Sequence, residues 1–113
     1  MHELSIAVAL VRQVEEVAAR EGASRVTRVT VVIGKLSGVE PEALRFAYPL
    51  AAEGTLAEHA ELVLEALPLS LRCRTCGVSA EADEPFPICG ACGSVDVEIG
   101  DARELRIRTI DIE

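Results

Sequence analysis

Two short cysteine motifs constrain what this chain can fold into more than any other feature. They are CRTCG at residues 73–77 and CGACG at residues 89–93, and they contain all four cysteines of the chain. Two thiols three positions apart can hold one metal ion from a tight turn, and the glycine after each pair permits the left-handed backbone of such a turn. Two facing turns predict a closed site of four sulfur ligands, typical of structural zinc. The predicted zinc ligands are Cys73, Cys76, Cys89 and Cys92.

Three other uses of paired cysteines stay open at this point. Iron accepts the same tetrahedral set of four sulfurs as zinc. Two disulfides would need an oxidising compartment, and a redox pair would explain one C-x-x-C motif but not two matched ones. Residues 78–88 contain few large apolar side chains, so we expect a bound metal, rather than an apolar core, to hold this module together.

Charge and composition exclude several classes of protein. The formal net charge is −8, with 11 Lys and Arg residues, one Tyr, two Phe and no Trp. Nucleic-acid binding needs clustered basic residues, usually with stacking aromatic side chains, so we expect no nucleic-acid partner. No stretch approaches the ~20 apolar residues of a membrane span, and the opening His2 and Glu3 do not resemble a signal peptide. We therefore expect no membrane partner and a cytoplasmic, reducing location, which suits thiolate ligands.

Hydrophobic periodicity predicts an α+β fold. Apolar residues recur at helical spacing in two segments and alternate in others, so the first group should form helices and the second strands. We expect helices at Leu4–Arg20 and from Pro41 toward Gly54, and strands at Arg25–Ile33, Leu62–Leu71, Val95–Ile99 and Arg103–Glu113.

Two prolines conflict with these patterns. Pro49 would remove an N–H group from the interior of the second helix, so we expect a kink there or a break at Tyr48. Pro68 predicts a bulge or an edge position in the strand that contains it.

The order of elements predicts two helices on a small mixed three-stranded sheet, with an inserted zinc-ribbon module. Residues 1–71 plus 100–113 would form the helix–sheet domain, and residues 72–99 would form the zinc-binding ribbon domain. Exposed edges of the small sheet would allow a homodimer.

The first three residues form a second candidate metal site. The α-amino group of Met1, the next backbone nitrogen and the ring of His2 can chelate one ion, and Glu3 can add a further donor. Square-planar nitrogen and oxygen donors suit Ni(II) or Cu(II), and copper would bind more tightly unless nickel is supplied selectively. A lone histidine at position 2 is also consistent with a solvated chain end. His59, the other histidine, is expected in an exposed loop, with a second nickel contact or a partner contact as the alternative.

Several segments together resemble one known family. They are MHELS at 1–5 with its helix, IGKLSGV at 33–39, residues 54–61 and the two C-x-x-C motifs. In this combination and order, they resemble the HypA family of nickel-insertion accessory proteins in nickel–iron hydrogenase maturation. The resemblance covers the whole chain.

That resemblance implies a nickel metallochaperone with a structural zinc site. Ni(II) would be held by Met1 and His2 with Glu3 close by, Zn(II) would be held by the four cysteines, and Glu40 would be an additional acidic contact. The implied partners are a HypB-type GTPase and the hydrogenase large subunit. The sequence has no recognisable nucleophile triad, phosphate loop or carboxylate pair, so we expect no enzyme. The alternative function is a zinc-ribbon adaptor that binds protein without transferring nickel.

Overall fold

A computed structural model describes residues 2–82, 88–100 and 102–113. It confirms the predicted α+β class. The helices are α1 (Glu3–Arg20) and α2 (Pro41–Ala52). Within the described ranges, the strands are β1 (Val26–Gly34), β2 (Glu61–Leu67), β3 (Leu69–Cys73), β4 (Ser79–Ala82), β5 (Val97–Ile99) and β6 (Leu105–Ile112).

Helix α1 is amphipathic, as its periodicity predicts. The stripe of residues that it buries is narrower than its stripe of apolar residues. Leu4 and Val8 fit the apolar spacing of this helix, yet they are 53% and 39% exposed. The helix therefore carries more apolar surface than its neighbours cover. Its buried positions are Glu3, Ala7, Leu10, Val11, Val14 and Ala18.

The C-terminus of α1 is closed by a glycine two residues after its last helical residue. Gly22 has a φ of 70°, and its N–H donates to the carbonyl of Ala19 while the N–H of Ala23 donates to the carbonyl of Ala18. These two bonds form a Schellman motif, which satisfies carbonyls that the helix leaves unpaired.

Helix α2 begins with Pro41 at its first position, where the missing N–H has no intrahelical partner to lose. The expected break at Tyr48 does not occur, because the helix continues through Pro49 to Ala52. Leu44, Tyr48 and Ala52 are buried, and α2 packs against α1. Burial of this face outweighs the hydrogen bond that the proline removes.

Strand β1 is the middle strand of a three-stranded sheet with the order β2-β1-β6. The alternation in the sequence predicts one well-buried face. The structure buries every residue from Val29 to Gly34, including Thr30 and Val32 on the other face. A strand with neighbours on both edges and cover on both faces loses the alternation of exposure that a half-buried strand shows.

The predicted strand Leu62–Leu71 is two strands that belong to different sheets. Strand β2 ends at Leu67 and β3 begins at Leu69, with Pro68 between them. Proline has no N–H to give to a ladder, so the chain changes sheets at the residue where the bulge was expected. Strand β3 is the middle strand of a second sheet with the order β4-β3-β5. Both of its pairings are antiparallel, and β4 was not predicted.

The chain divides into two compact units. The first comprises Met1–Val32, Val39–Glu65 and Arg106–Glu113, and it contains both helices. The second comprises Ile33–Gly38 and Ala66–Leu105, and it contains the cysteine motifs. These ranges differ from the predicted domains because the sheet around β3 belongs with the cysteines. The assignment of nickel to one part and zinc to the other stays a prediction.

Candidate metal centres

The four cysteine sulfurs form one cluster in the second unit, and all of them lie within 4.8 Å of one another. The Sγ atoms of Cys73 and Cys92 are 3.6 Å apart, as are those of Cys76 and Cys89. Sulfurs bound to one zinc ion at about 2.3 Å, at the corners of a tetrahedron, lie about 3.8 Å apart. The two short pairs therefore have nearly the spacing that zinc requires, and the donor set fits a closed four-sulfur site.

The backbone of each motif folds the same way. In the first knuckle (Cys73–Gly77), the N–H of Gly77 donates to the carbonyl of Cys73 at 2.9 Å. In the second knuckle (Cys89–Gly93), the N–H of Gly93 donates to the carbonyl of Cys89 at 2.8 Å. Both glycines are left-handed, with φ values of 79° and 76°. Glycine adopts this conformation without the steric cost that a side chain brings.

Each knuckle presents one buried and one exposed cysteine. Cys73 and Cys89 are 1% and 3% exposed, whereas Cys76 and Cys92 are exposed. The N–H of Cys76 lies 3.4 Å from the Sγ of Cys73, and this donor is the main cause that lowers the pKa of the Cys73 thiol to about 6. The N–H of Cys92 likewise lowers the pKa of Cys89. Stabilised thiolates favour metal binding, because the thiolate is the form that ligates.

A hydroxyl pair beside the cysteines was not predicted. Oγ1 of Thr75, inside the first knuckle, lies 2.9 Å from Oγ of Ser94, which directly follows the second knuckle. The sequence did contain a signal, because each hydroxyl residue lies within two positions of a cysteine ligand, but their pairing depends on how the two knuckles face each other.

The N-terminal candidates lie at the start of α1. His2 is the N-cap residue, its carbonyl accepts the N–H of Ile6 at 2.9 Å, and its side chain makes no capping hydrogen bond. The His2 residue is exposed. Glu3 is only 7% exposed, and its Oε2 accepts the backbone N–H of Glu40 at 3.2 Å. Met1, the remaining predicted nickel ligand, lies outside the described residues.

Glu40 and His59 have separate surroundings. Glu40 is the N-cap residue of α2 and contributes its backbone N–H, rather than its carboxylate, to the contact with Glu3. His59 lies in an exposed turn, with an 88% exposed side chain 3.8 Å from the Glu58 carboxylate. Within the described ranges, the four cysteines are the one group of three or more metal-ligating side chains close enough to share an ion. No described helix is long and apolar enough to cross a membrane.

Comparisons with known proteins agree over the full length of the chain. The family described as "Hydrogenase/urease nickel incorporation, metallochaperone, hypA" matches residues 1–112. The hydrogenase maturation factor HypA of Chlorobium limicola is 45% identical over 113 residues, covering 100% of this chain and 97% of that protein. The hydrogenase maturation factor HypA of Aquifex aeolicus is 39% identical, covering 100% and 98%.

A solved structure has a similar fold. The solution structure of the Ni metallochaperone HypA from Helicobacter pylori matches with a TM-score of 0.67 and 26% identity, covering 99% of this chain and 97% of that one. A helix–sheet unit joined to a four-cysteine unit defines a small metal-binding protein of the α+β class. The family match over 112 residues makes the class more specific: the chain belongs to the HypA family of metallochaperones for hydrogenase and urease nickel incorporation.

Proposed function

We propose that this chain carries Ni(II) at its N-terminus and helps insert it into the large subunit of a nickel–iron hydrogenase. The observation that carries the proposal is the start of α1, where an exposed histidine at position 2 adjoins an anchored glutamate. The curated relatives are named hydrogenase maturation factors, which supports hydrogenase over urease as the recipient.

The N-terminal ligands suit a carrier that must release its ion. The donors would be the α-amino group of Met1, the imidazole of His2 and a donor of Glu3. The backbone N–H of Glu3 belongs to the first helical turn, whose N–H groups take no part in the helix ladder. The Glu3 carboxylate is already occupied by the N–H of Glu40. We therefore favour backbone nitrogen over this carboxylate as the donor, with the carboxylate holding the chain end in place.

Proton competition would help the ion leave. An amine and an imidazole must both lose their proton to bind the metal. Nickel affinity should therefore fall as the pH is lowered. A HypB-type GTPase and the hydrogenase large subunit are the proposed partners, in a reducing, cytoplasmic setting that keeps the cysteines as thiols.

The four cysteines would hold zinc as a permanent structural ion. The sulfur spacing and the N–H donors to Cys73 and Cys89 support this assignment. A closed four-sulfur site has no open position for transfer. The ion would hold the two knuckles together. The chain supplies the four sulfur donors and the backbone turns that position them.

Nickel titration by calorimetry tests the N-terminal site. The protein should be untagged and zinc-loaded, because an N-terminal tag would remove the free α-amino group of Met1. Wild type is compared with His2→Ala and with His59→Ala, a matched control that removes the other exposed histidine. We expect about one nickel ion per chain for wild type and His59→Ala, and none for His2→Ala. Equal binding by all three proteins, or binding by none, would reject the carrier site and favour a zinc-ribbon adaptor.

A further inference from the structure

The backbone bonds that close each knuckle lie within that knuckle and its next residue, so they do not join the two. The N–H of Cys73 donates to the carbonyl of Val78, and the N–H of Cys89 donates to the carbonyl of Ser94, each at 2.9 Å. Both bonds close a loop within one knuckle and its next residue. A four-sulfur site, however, needs the sulfurs of one knuckle at a set distance from those of the other.

Side chains at the edge of the cluster provide a link across the two knuckles. Thr75 Oγ1 and Ser94 Oγ lie 2.9 Å apart and form what we call the hydroxyl bridge. Ser94 Oγ also accepts the backbone N–H of Asp96 at 3.0 Å. That second bond fixes the orientation of the Ser94 hydroxyl. The backbone of Asp96 therefore helps to hold Ser94 in the position from which it contacts Thr75.

The bridge lies next to the cysteines whose spacing matters. Thr75 directly precedes Cys76, and Ser94 follows Cys92 by two residues. The two short sulfur pairs, at 3.6 Å, both run between the knuckles. A bond that sets the separation of Thr75 and Ser94 therefore also limits how far these sulfur pairs can move apart.

An ion pair and a backbone hydrogen bond, both between Arg74 and Asp96, span the same gap, and their effect has to be separated from that of the bridge. Arg74 Nη1 lies 3.0 Å from Asp96 Oδ1, and the Arg74 N–H donates to the Asp96 carbonyl at 3.0 Å. The side chains of this pair are 56% and 62% exposed. Exposed ion pairs contribute little and are screened by salt. The hydroxyl bridge is exposed as well, but its two groups are neutral, so salt does not screen it.

We propose that Thr75 and Ser94 are positioning residues for the four-cysteine metal site, and that their hydroxyl bridge slows the release of its ion. This inference rests on the proposed zinc site and extends it to residues that bind no metal. Loss of one hydrogen bond should speed release by about two- to tenfold. Loss of a residue that hydrogen-bonds directly to a metal ligand has a larger effect, of about 10–100-fold on metal affinity.

The test measures zinc release from the full-length, zinc-loaded chain into an excess of the chromogenic chelator 4-(2-pyridylazo)resorcinol. The variants are Thr75→Val, Ser94→Ala, the double variant and Thr75→Ser. We expect faster release from each of the first two, no further increase in the double variant, and wild-type release from Thr75→Ser. Thr27→Val is the matched control, because it removes a threonine hydrogen bond in the other unit. The differences should persist at high salt.

Each contrary result overturns the inference in a recognisable way. Equal release rates for wild type, Thr75→Val and Ser94→Ala would show that the bridge does not retain the ion. An additive double variant would show that the two hydroxyls act separately, and a difference that vanishes at high salt would assign the effect to Arg74 and Asp96. A wild type that holds no zinc would reject the zinc site itself, and the inference with it.

Discussion

Replacement of Gly34 by alanine should destabilise the second unit, because the backbone there has no room for a Cβ atom. A Cβ built on Gly34 would lie 2.2 Å from the carbonyl oxygen of Ala102 and 2.7 Å from its carbonyl carbon. Ordinary contact begins at 3.4 Å, so the oxygen would be 1.2 Å too close. The obstructing atoms are backbone atoms, and a rotamer change cannot move them.

The close approach is held by two short hydrogen bonds. The N–H of Gly34 donates to the carbonyl of Glu104, and the N–H of Leu36 donates to the carbonyl of Ala102, each at 2.7 Å. A shift of about 1.2 Å would lengthen them to about 3.9 Å, beyond the 3.2 Å limit of a good bond. If the backbone moves and both bonds are lost, the free energy of unfolding falls by about 1–3 kcal/mol. If the backbone stays and the bonds are kept, the crowded Cβ atom costs about 1–3 kcal/mol in overpacking strain. The expected loss is therefore about 2 kcal/mol by either route.

Urea unfolding of zinc-loaded protein, followed by circular dichroism, measures this loss. With an m-value of about 2 kcal/mol/M, the midpoint should fall by about 1 M. Gly90→Ala is the matched control, because a Cβ there meets nothing within 4 Å and its φ is not positive. The control should be neutral or slightly stabilising. A Gly34→Ala midpoint equal to wild type, or an equal loss in Gly90→Ala, would refute the close-approach argument.

Two further variants test buried and paired groups. The hydroxyl of Tyr48 is buried and has no hydrogen-bond partner among the described residues, and burial raises its pKa to about 12. Tyr48→Phe should therefore leave thermal stability unchanged or raise it by up to about 1 kcal/mol, and a loss above that would reveal a partner for the hydroxyl. For the second, the hydrogen bond from Arg25, at 2.7 Å, lowers the pKa of Glu113 below its ordinary 4.5. The stability that Glu113 adds should be complete above pH 4.5 and disappear as the pH falls through its lower folded-state pKa. Urea unfolding of Glu113→Gln should thus differ from wild type near neutral pH and converge with it in acid, and a constant difference would contradict the linkage.

Local features of this fold were predictable because their causes lie within a few residues. The C-x-x-C-G spacing is a property of one turn, and both turns form with left-handed Gly77 and Gly93. The same holds for the end of α1 at Gly22 and for the start of α2 at Pro41. Each of these features depends on a property of one residue, either the left-handed conformation that glycine adopts easily or the N–H group that proline lacks.

Features that depend on what covers a segment were predicted less well. Leu4 and Val8 fit the apolar pattern of α1 but are exposed, because the pattern does not reveal how wide the covering surface is. Pro68 marked an irregularity correctly, whereas the change of sheet that occurs there depends on two sets of partner strands. Helix α2 continues through Pro49 because of the packing of its buried face.

For the candidate metal centres, the sequence by itself determined which donors the chain can offer, since ligand type and spacing are chemical properties of the chain. The tertiary structure decided the rest. It brought the two knuckles to a sulfur separation of 3.6 Å, paired Thr75 with Ser94, and placed the N–H of Glu40 on the carboxylate of Glu3. These contacts join residues distant in sequence, and no local pattern encodes which distant groups will meet when the apolar surfaces are buried.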